Sequence, residues 1–491
     1  MFHISDCKKY TRCPLLFLYE QHAEKSEYHP FVRLDEKVTD LAMMKLHINK
    51  EEAFIGKTGD DPKLSLQALG TYEWLVQARF AYANLRVKVP FLHHTEDGWD
   101  IYFLYTGIWP HGEDLQYYCD TVWVLRNNNI KINNMYIIHL NAAYERKKNL
   151  DPEELFTITE YFYNSNNHPS AFVRTQVEKN IHDLKPLLES MEKEDIEHVG
   201  KPLRERKCSG RVKCRYYETC FPHEEKEADN SILTLIASRY RYSMKNKGIL
   251  YLRDADIDQI EGTRQQYAQI MADKNNGLYV DKYGLHTWLS HISYPVSFLD
   301  FEWERFAIPP YEGMHPYDVL PFEYALYILQ EDGTMSHYVY LNVHDDRYDM
   351  ASSLCEKIPE EGSVIAYNAE GAEMQRIREF SQLFPDLSER LDHINERMED
   401  LQLPFENGTV YDTRMRGSWS LKTIMNMMDD PGYKDLDIRQ GMDAVWQWRH
   451  LDYNDAPREE QKKIVEDLKK YCGMDAYAMT VVYKWLKSIV K

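Results

Sequence analysis

Residues 294–304 read YPVSFLDFEWE, an apolar run that ends in the triplet Asp300-Phe301-Glu302. Valine and aromatic residues in a short run of this kind predict a buried strand. Side chains alternate between the two faces of a strand, so Asp300 and Glu302 share one face and Phe301 lies on the other. Burying two carboxylates is costly unless a partner compensates their charge. The triplet is therefore a candidate metal site.

An α/β pattern continues after this strand. Two further strands are predicted, FEYALYIL and HYVYLNV, with the turn signal EDGT between them. A helix over 349–358, the strand SVIAYN and a helix over 371–384 follow. A hairpin followed by a strand–helix unit fits an RNase H-like three-layer fold, and it also fits other α/β domains.

More acidic residues stand where such a site needs them. In IAYNAEGAEMQRI, Glu373 enters a helix directly after a strand, and Glu370 is an alternative from the same turn. In YCGMDAYAM, Tyr471 and Asp475 are four residues apart and share a helix face. Two-metal hydrolysis of a phosphodiester needs carboxylates gathered from separate elements in this way.

In this order and spacing, the segments resemble the DEDD exonuclease superfamily, in its tyrosine-containing subgroup. The resemblance implies that Asp300, Glu302, Glu373 and Asp475 bind two Mg²⁺ or Mn²⁺ ions. It also implies that Tyr471 positions the attacking water. Glu373 departs from the pattern, since most members have Asp there.

Residues 295–487 also resemble a bacterial family catalogued chiefly as a domain of unknown function. The motifs that carry this resemblance include LDFEWERFAIPP, ERMEDLQLPF, GSWSLK and YCGMDAYAM. The family couples an exonuclease-like domain to an N-terminal RecB-like region. Within it, Gly417–Lys422 is expected to frame the substrate channel, with Lys422 and Arg416 meeting phosphates.

The composition limits the classes of function. The 491 residues are enough for two or three domains. The net charge of −20 opposes the binding of polyanions such as nucleic acid. The charge is uneven, however, because basic residues predominate between Lys201 and Arg215. Within that run we expect Arg211, Lys213 and Arg215 to contact nucleic acid. No apolar stretch is long enough for a membrane helix, which predicts a cytoplasmic protein with no membrane partner.

The cysteines indicate a second metal centre. Cys208, Cys214 and Cys220 are each separated by five residues, and Cys13 lies far upstream. This arrangement resembles RecB-like nucleases whose iron–sulfur cluster joins the two ends of the domain, which implies a [4Fe–4S] cluster. Four thiolates also suit Zn²⁺ as the alternative. The other four cysteines (7, 119, 355 and 472) are predicted to be buried thiols.

The N-terminal half does not carry the acidic residues of an active RecB-like, PD-(D/E)XK-type nuclease. We predict a helix over 71–85, strands at RVKVPFL, WDIYFLYTG, TVWVL and MYIIHL, and a helical pattern over 151–198. The catalytic Asp position then falls near Pro90, and the E-x-K positions fall near Phe103 and Tyr105. The motif is lost, although His93, His94, Asp100 or Asp120 remain alternative ligands.

Together these patterns predict three segments. They are a degenerate RecB-like α/β domain with a cysteine-ligated cluster (1–225), a helical connector (226–290) and a DEDD-type, RNase H-like exonuclease domain (291–491). The predicted function is metal-dependent 3′–5′ exonuclease activity on nucleic acid with a free 3′ end. The expected substrate is single-stranded DNA. The alternative is an inactive nucleic-acid-binding scaffold or complex subunit. The sequence leaves protein partners open.

Overall fold

The chain forms a mixed α/β structure that divides into two compact units. In this computed structural model, the described residues are 1–23, 30–34, 37–195, 199, 202, 204–208, 213–222, 228–428, 432, 438 and 441–490. Unit 1 comprises Met1–Leu203, Cys214–Cys220 and Arg305–Asp318. Unit 2 comprises Arg204–Lys213, Phe221–Glu304 and Val319–Lys491.

Unit 1 is built on a seven-stranded sheet in the order β2-β3-β4-β5-β6-β7, with β1 beside the first residues of β4, and a separate β8-β9 hairpin. The strands are β1 (Phe2–His3), β2 (Phe54–Ile55), β3 (Trp74–Tyr82), β4 (Leu85–Thr95), β5 (Gly98–Leu104), β6 (Ile132–Leu140), β7 (Phe156–Thr159), β8 (Tyr161–Tyr163) and β9 (Pro169–Phe172). Strands β3, β4 and β5 form an antiparallel meander, and β6 runs parallel to β5.

Helices cover this sheet and connect its strands. They are α1 (Ile4–Arg12), α2 (Pro14–His22), α3 (Val38–Lys45), α4 (Pro62–Ala68), α5 (Leu115–Asn127), α6 (Pro152–Leu155), α7 (Val173–Asn180), α8 (Lys185–Lys193) and α9 (Tyr217–Cys220). The crossover from β5 to the parallel strand β6 is made by α5, as a parallel pair requires.

Three predicted elements of unit 1 are wrong. The segment expected to be helical over 151–198 contains β7, β8 and β9 between α6 and α7, and the Phe, Ile, Thr and Tyr residues of β7 and β8 favour strands. The helix expected over 71–85 is strand β3, whose Leu75, Val76, Ala78 and Phe80 are fully buried in two core clusters. A strand buried on both faces loses its alternation, so its apolar spacing resembles that of a helix. Conversely, the strand expected at TVWVL lies inside α5, a helix buried on most sides.

Unit 2 contains a five-stranded sheet and a two-stranded one. The strands are β10 (Leu278–Val280), β11 (Val296–Arg305), β12 (Val319–Leu329), β13 (Met335–Leu341), β14 (Val364–Ala366), β15 (Met398–Asp400) and β16 (Val410–Asp412). The helices are α10 (Arg241–Asn246), α11 (Arg264–Lys274), α12 (Lys282–Ser290), α13 (Arg347–Lys357), α14 (Glu373–Leu383), α15 (Ser388–Glu396), α16 (Leu403–Glu406), α17 (Leu421–Met425), α18 (Gly441–Asp452) and α19 (Arg458–Ile489).

The large sheet of unit 2 has the order β13-β12-β11-β14-β15. Strands β12 and β13 are antiparallel, whereas β11, β14 and β15 run parallel to one another. The turn between β12 and β13 contains Gly333 at φ +89°, in the segment predicted to be a turn. The segment 226–290, predicted to be a helical connector, belongs to unit 2 and contributes β10, which pairs with β16.

This sheet lies between two helical layers. Leu299, Phe301 and Tyr324 pack in one cluster with α13, α14 and α15. Phe298 and Ala325 pack in another with α19. The alternation predicted for β11 is confirmed, because Phe301 faces the first layer while the neighbouring carboxylates face α19. Within the described residues, no helix is long and apolar enough to cross a membrane.

Candidate metal centre

Three carboxylates from two elements meet on one side of the large sheet. Asp300 and Glu302 lie on β11, and Asp475 lies on α19. One oxygen of each lies within 4.8 Å of an oxygen of both others, and no other set of three or more potential metal ligands among the described residues is gathered this closely. Asp300 and Glu302 keep part of their surface exposed, whereas Asp475 is buried. The group is therefore open on one side.

Glu373 reaches the same group from the first residue of α14. Its carboxylate accepts a hydrogen bond from the backbone N–H of Phe301, between the two acids of β11. Its other oxygen, Oε2, is buried and has no hydrogen-bond partner. The alternative residue Glu370 is exposed and pairs with Arg378 at 2.9 and 3.0 Å. Of the two candidates, the fold brings Glu373 to the site.

The turn that presents Glu373 is fixed by another acid. Asp400, at the end of β15, accepts hydrogen bonds from the backbone N–H groups of Asn368 and Ala369 at 2.9 and 3.0 Å. Asn368 adopts a left-handed conformation with φ +60°, which asparagine tolerates better than most residues. The short strand β14 thus ends in a rigid turn that aims Glu373 at β11.

Tyr471 completes the predicted set. It lies one helical turn before Asp475 on α19 and hydrogen-bonds to that carboxylate. Burial, together with the charges of Asp475 and Glu302, raises the pKa of Tyr471 far above its ordinary value. The hydroxyl therefore keeps its proton and acts as a hydrogen-bonding group.

Lys422, predicted to contact phosphates, lies against the same residues. Its Nζ donates a hydrogen bond to the Tyr471 hydroxyl at 2.9 Å and lies 4.7 Å from the centre of that ring. Its positive charge also lowers the pKa of Glu302 against the larger effects of burial and Asp475. Gly441, the first residue of α18, borders the group, since a Cβ there would lie 3.7 Å from a Glu302 oxygen.

Two further groups were not among the predicted site residues. Cys472, predicted to be a plain buried thiol, is indeed fully buried, but its Sγ lies 3.6 Å from Asp300 Oδ2. Glu323 on β12 is also fully buried, and neither of its carboxylate oxygens has a hydrogen-bond partner. An apolar strand with one embedded acid, FEYALYIL, is a signal that could have indicated Glu323.

The electrostatic state of this group follows from its burial. Burial and then mutual repulsion raise the pKa of Asp300 and of Glu302 well above their ordinary values. Burial raises the pKa of Glu373 to about 8 and that of Glu323 to about 8. Close carboxylates cannot all ionise without compensating charge, and divalent cations provide that charge. Oxygen-only ligands of this kind suit Mg²⁺ and Mn²⁺.

Of the three basic residues predicted around Cys208 to bind nucleic acid, the structure describes Lys213 and Arg215. Arg215 belongs to unit 1, where it pairs with Glu20 at 3.1 Å and lies over the ring of Tyr216. Lys213 is exposed, and Arg211 lies outside the described residues.

The cysteines predicted to bind a cluster are partly gathered. Cys13, Cys214 and Cys220 belong to unit 1, while Cys208 is assigned to unit 2. Burial raises the pKa of Tyr19, whose hydroxyl hydrogen-bonds to Cys220 and also lies near Cys13. Burial and then Glu20 raise the pKa of Tyr216, which lies near Cys214 and whose ring centre is 5.1 Å from that of Tyr19.

The alternative ligands of unit 1 have structural partners. His93 hydrogen-bonds to Glu73 at 3.0 Å, and Asp100 accepts a hydrogen bond from the backbone N–H of Asn134 at 2.9 Å. Asp120 accepts one from Gln116 at 2.6 Å. Together with His94, these residues form no close ligand group in the described part of the chain.

Comparison with known proteins yields one match. The family model described as a domain of unknown function (DUF2779) matches residues 297–420. This agrees with the predicted resemblance over that segment, which contains Asp300, Glu302 and Glu373 and ends before Lys422 and Tyr471. No curated protein and no solved structure matches the chain.

The raised pKa values predict how pH affects stability without metal. In the unfolded chain these acids titrate near 4, so between about pH 4 and 8 the folded state binds more protons than the unfolded state. The free energy of unfolding of metal-free protein should therefore fall as pH rises from about 5 to about 8. Urea titrations in the presence of a chelator measure this slope.

Two controls accompany this measurement. Glu323→Gln should reduce the slope, because it removes a group whose pKa is raised to about 8. Added Mn²⁺ should stabilise the protein more at high pH, since ionised carboxylates bind the ion better. A metal-free stability that is flat over this range would contradict the description of the group as buried acids.

Proposed function

We propose that the chain is a metal-dependent 3′–5′ exonuclease that acts on nucleic acid, DNA rather than RNA, by two-metal phosphodiester hydrolysis. The observation that carries the proposal is the convergence of Asp300, Glu302 and Asp475 within 4.8 Å, with Glu373 and Tyr471 beside them. The five residues come from three separate segments, β11, α14 and α19, and their proximity supports the DEDD resemblance.

The fold supports the same proposal. The sheet order β13-β12-β11-β14-β15, with an antiparallel hairpin and three parallel strands between two helical layers, agrees with an RNase H-like domain. The first and central strand carries the acidic pair, and the last helix carries Tyr471 and Asp475. The family match supplies no activity, because its description assigns none.

The donor set fits two divalent ions. Asp300, Glu302, Glu373 and Asp475 would hold them, and the unpartnered Oε2 of Glu373 leaves a ligand position open. When bound, such ions activate a water and stabilise the leaving oxygen. Strand β11 and helices α14 and α19 hold the four acids in place. Tyr471 provides a protonated hydroxyl beside Asp475 that would hold the attacking water.

For unit 1 we propose a degenerate RecB-like domain with a cysteine-ligated [4Fe–4S] cluster. The β4-β5 hairpin, paired with Phe91 opposite Tyr102, carries Pro90 and Phe103 where a nuclease of this type has acids. Zinc sites usually include two cysteines two to four residues apart. The five-residue gaps between Cys208, Cys214 and Cys220 are longer, which favours the cluster over zinc.

The exonuclease proposal predicts the effect of removing one acid. Asp300→Asn should lower Mn²⁺-dependent degradation of 5′-labelled single-stranded DNA by roughly 100-fold or more, because it removes a shared metal ligand. Glu389→Gln, at an exposed position of α15, is the matched control and should keep full activity.

The pattern of products tests direction and rival functions. A 5′-labelled strand should give a ladder shortened from the 3′ end, and a blocked 3′ end should stop it. Equal degradation by Asp300→Asn would overturn the proposal, and its loss in a His93→Ala or Asp120→Ala variant instead would place the activity in unit 1. DNA binding without degradation would favour the inactive scaffold.

The cluster proposal has its own test. Anaerobically purified protein should contain iron and inorganic sulfide and show a broad visible absorption band, which Cys13→Ser and Cys220→Ser abolish. Cys355→Ser, on α13 of the other unit, should leave the band unchanged. Stoichiometric zinc without iron would refute the cluster.

A further inference from the structure

Lys422 is bound into the candidate centre. Its Nζ donates to the Tyr471 hydroxyl at 2.9 Å, and the ammonium group lies 4.7 Å from the centre of the same ring. Tyr471 in turn hydrogen-bonds to Asp475. The three side chains form a chain of donors that runs from Lys422 through Tyr471 to a carboxylate of the metal group.

The segment that carries Lys422 is fixed at several points. Gly417 adopts φ +81°, and a Cβ there would lie 2.4 Å from the backbone oxygen of Thr234. Its N–H donates to the hydroxyl of Tyr411 at 2.9 Å. The hydroxyl of Tyr367 donates to the backbone oxygen of Trp419, and Ser420 caps α17. Lys422 is therefore the second residue of a helix whose preceding loop is held in place, which limits where its ammonium group can lie.

The contact determines how the tyrosine hydroxyl is oriented. An ammonium group only donates hydrogen bonds, so the Tyr471 oxygen accepts from Lys422 and its own proton is directed to Asp475. The remaining lone pair of that oxygen can only accept a hydrogen bond. A water bound to it would therefore have to donate a proton to Tyr471, which would leave the lone pairs of the water free to face a reacting atom.

We propose that Lys422 is a positioning residue of the hydrolytic site, which orients the Tyr471 hydroxyl so that it accepts a hydrogen bond from the attacking water. This inference rests on the proposed exonuclease function. It differs from a phosphate contact, in which the ammonium group would hold the substrate. A phosphate-binding lysine contributes mainly to substrate affinity, whereas this lysine contributes to turnover.

Steady-state kinetics separate the two roles. Lys422→Met should lower kcat on the order of 10- to 100-fold, as for other supporting residues of metal sites, with KM within about twofold of the original value. Tyr471→Phe should give a similar loss. The double variant should be no slower than the slower single variant, because both changes remove one interaction. Lys462→Met, at an exposed position of the same helix as Tyr471, is the control.

Other outcomes overturn the inference. A rise in KM with unchanged kcat would assign Lys422 to substrate binding. Losses that multiply in the double variant would show that the lysine acts independently of Tyr471. Lys422→Met should not weaken Mn²⁺ binding, because it removes a positive charge beside Glu302. A loss of Mn²⁺ affinity as large as that of Asp300→Asn would instead make Lys422 a structural support of the metal ligands.

A readout without nuclease activity keeps this test separate from the proposed function. With 3-fluorotyrosine at position 471, the ¹⁹F resonance should shift in Lys422→Met and stay unchanged in Lys462→Met. An unshifted resonance would overturn the inference even in an active enzyme. If the unaltered protein degrades no nucleic acid but the resonance shifts, the exonuclease proposal fails while the lysine–tyrosine contact stands.

Discussion

Repulsion among buried carboxylates is the constraint on which the centre of unit 2 depends. Asp300, Glu302, Glu373 and Asp475 are held together in surroundings that disfavour their ionised forms. Such a group costs free energy in the folded protein unless protons or cations neutralise it. The chain keeps this arrangement within a well-packed core, so the cost is compensated by the packing around it and offset further when cations bind.

The elements around the centre explain how the acids are held in place. Strand β11 lies in the middle of the sheet, and its apolar residues pack against helices on both faces. At its far end, the buried Glu304 pairs with Arg449 of α18, with Nη2 donating at 2.9 Å. Helix α19 packs along the sheet through Cys472, Ala476 and Met479. Cys472 lies between Tyr471 and Asp475 in the sequence, and the other two follow Asp475. Both carriers of the acids are therefore rigid.

Much of unit 2 could be predicted from local patterns. Apolar runs identified β11, β12, β13 and β14, and strand alternation placed Asp300 and Glu302 on one face. The i, i+4 spacing of Tyr471 and Asp475 likewise survives in α19. Glu323 stands alone in an apolar run, which is a local signal of a buried acid, but nothing local shows that this acid lies near a metal group. For Cys472, nothing local distinguishes a buried thiol that faces a metal group from one that faces the core. Their significance comes from elements distant in sequence, β11 and α19.

Unit 1 shows the opposite case. Strand β3 has buried apolar residues on both faces, and residues 121–125 lie in a helix that is buried on most sides. Periodicity could not distinguish a two-sided strand from an enclosed helix. The roles of Lys422 and Glu370 also depend on tertiary structure. The sequence around a charged residue near a turn is the same whether its side chain faces the solvent, as that of Glu370 does, or the site, as that of Lys422 does. Resemblance identified the segments, and the side-chain contacts distinguished which members reach the centre.

Metal binding by the carboxylate group is tested most directly by anomalous diffraction from crystals soaked in Mn²⁺. We expect manganese peaks within bonding distance, about 2.0–2.4 Å, of oxygens from Asp300, Glu302 and Asp475. Carboxylates that stay in hydrogen-bonding contact with one another, with no manganese peak between them, would contradict it.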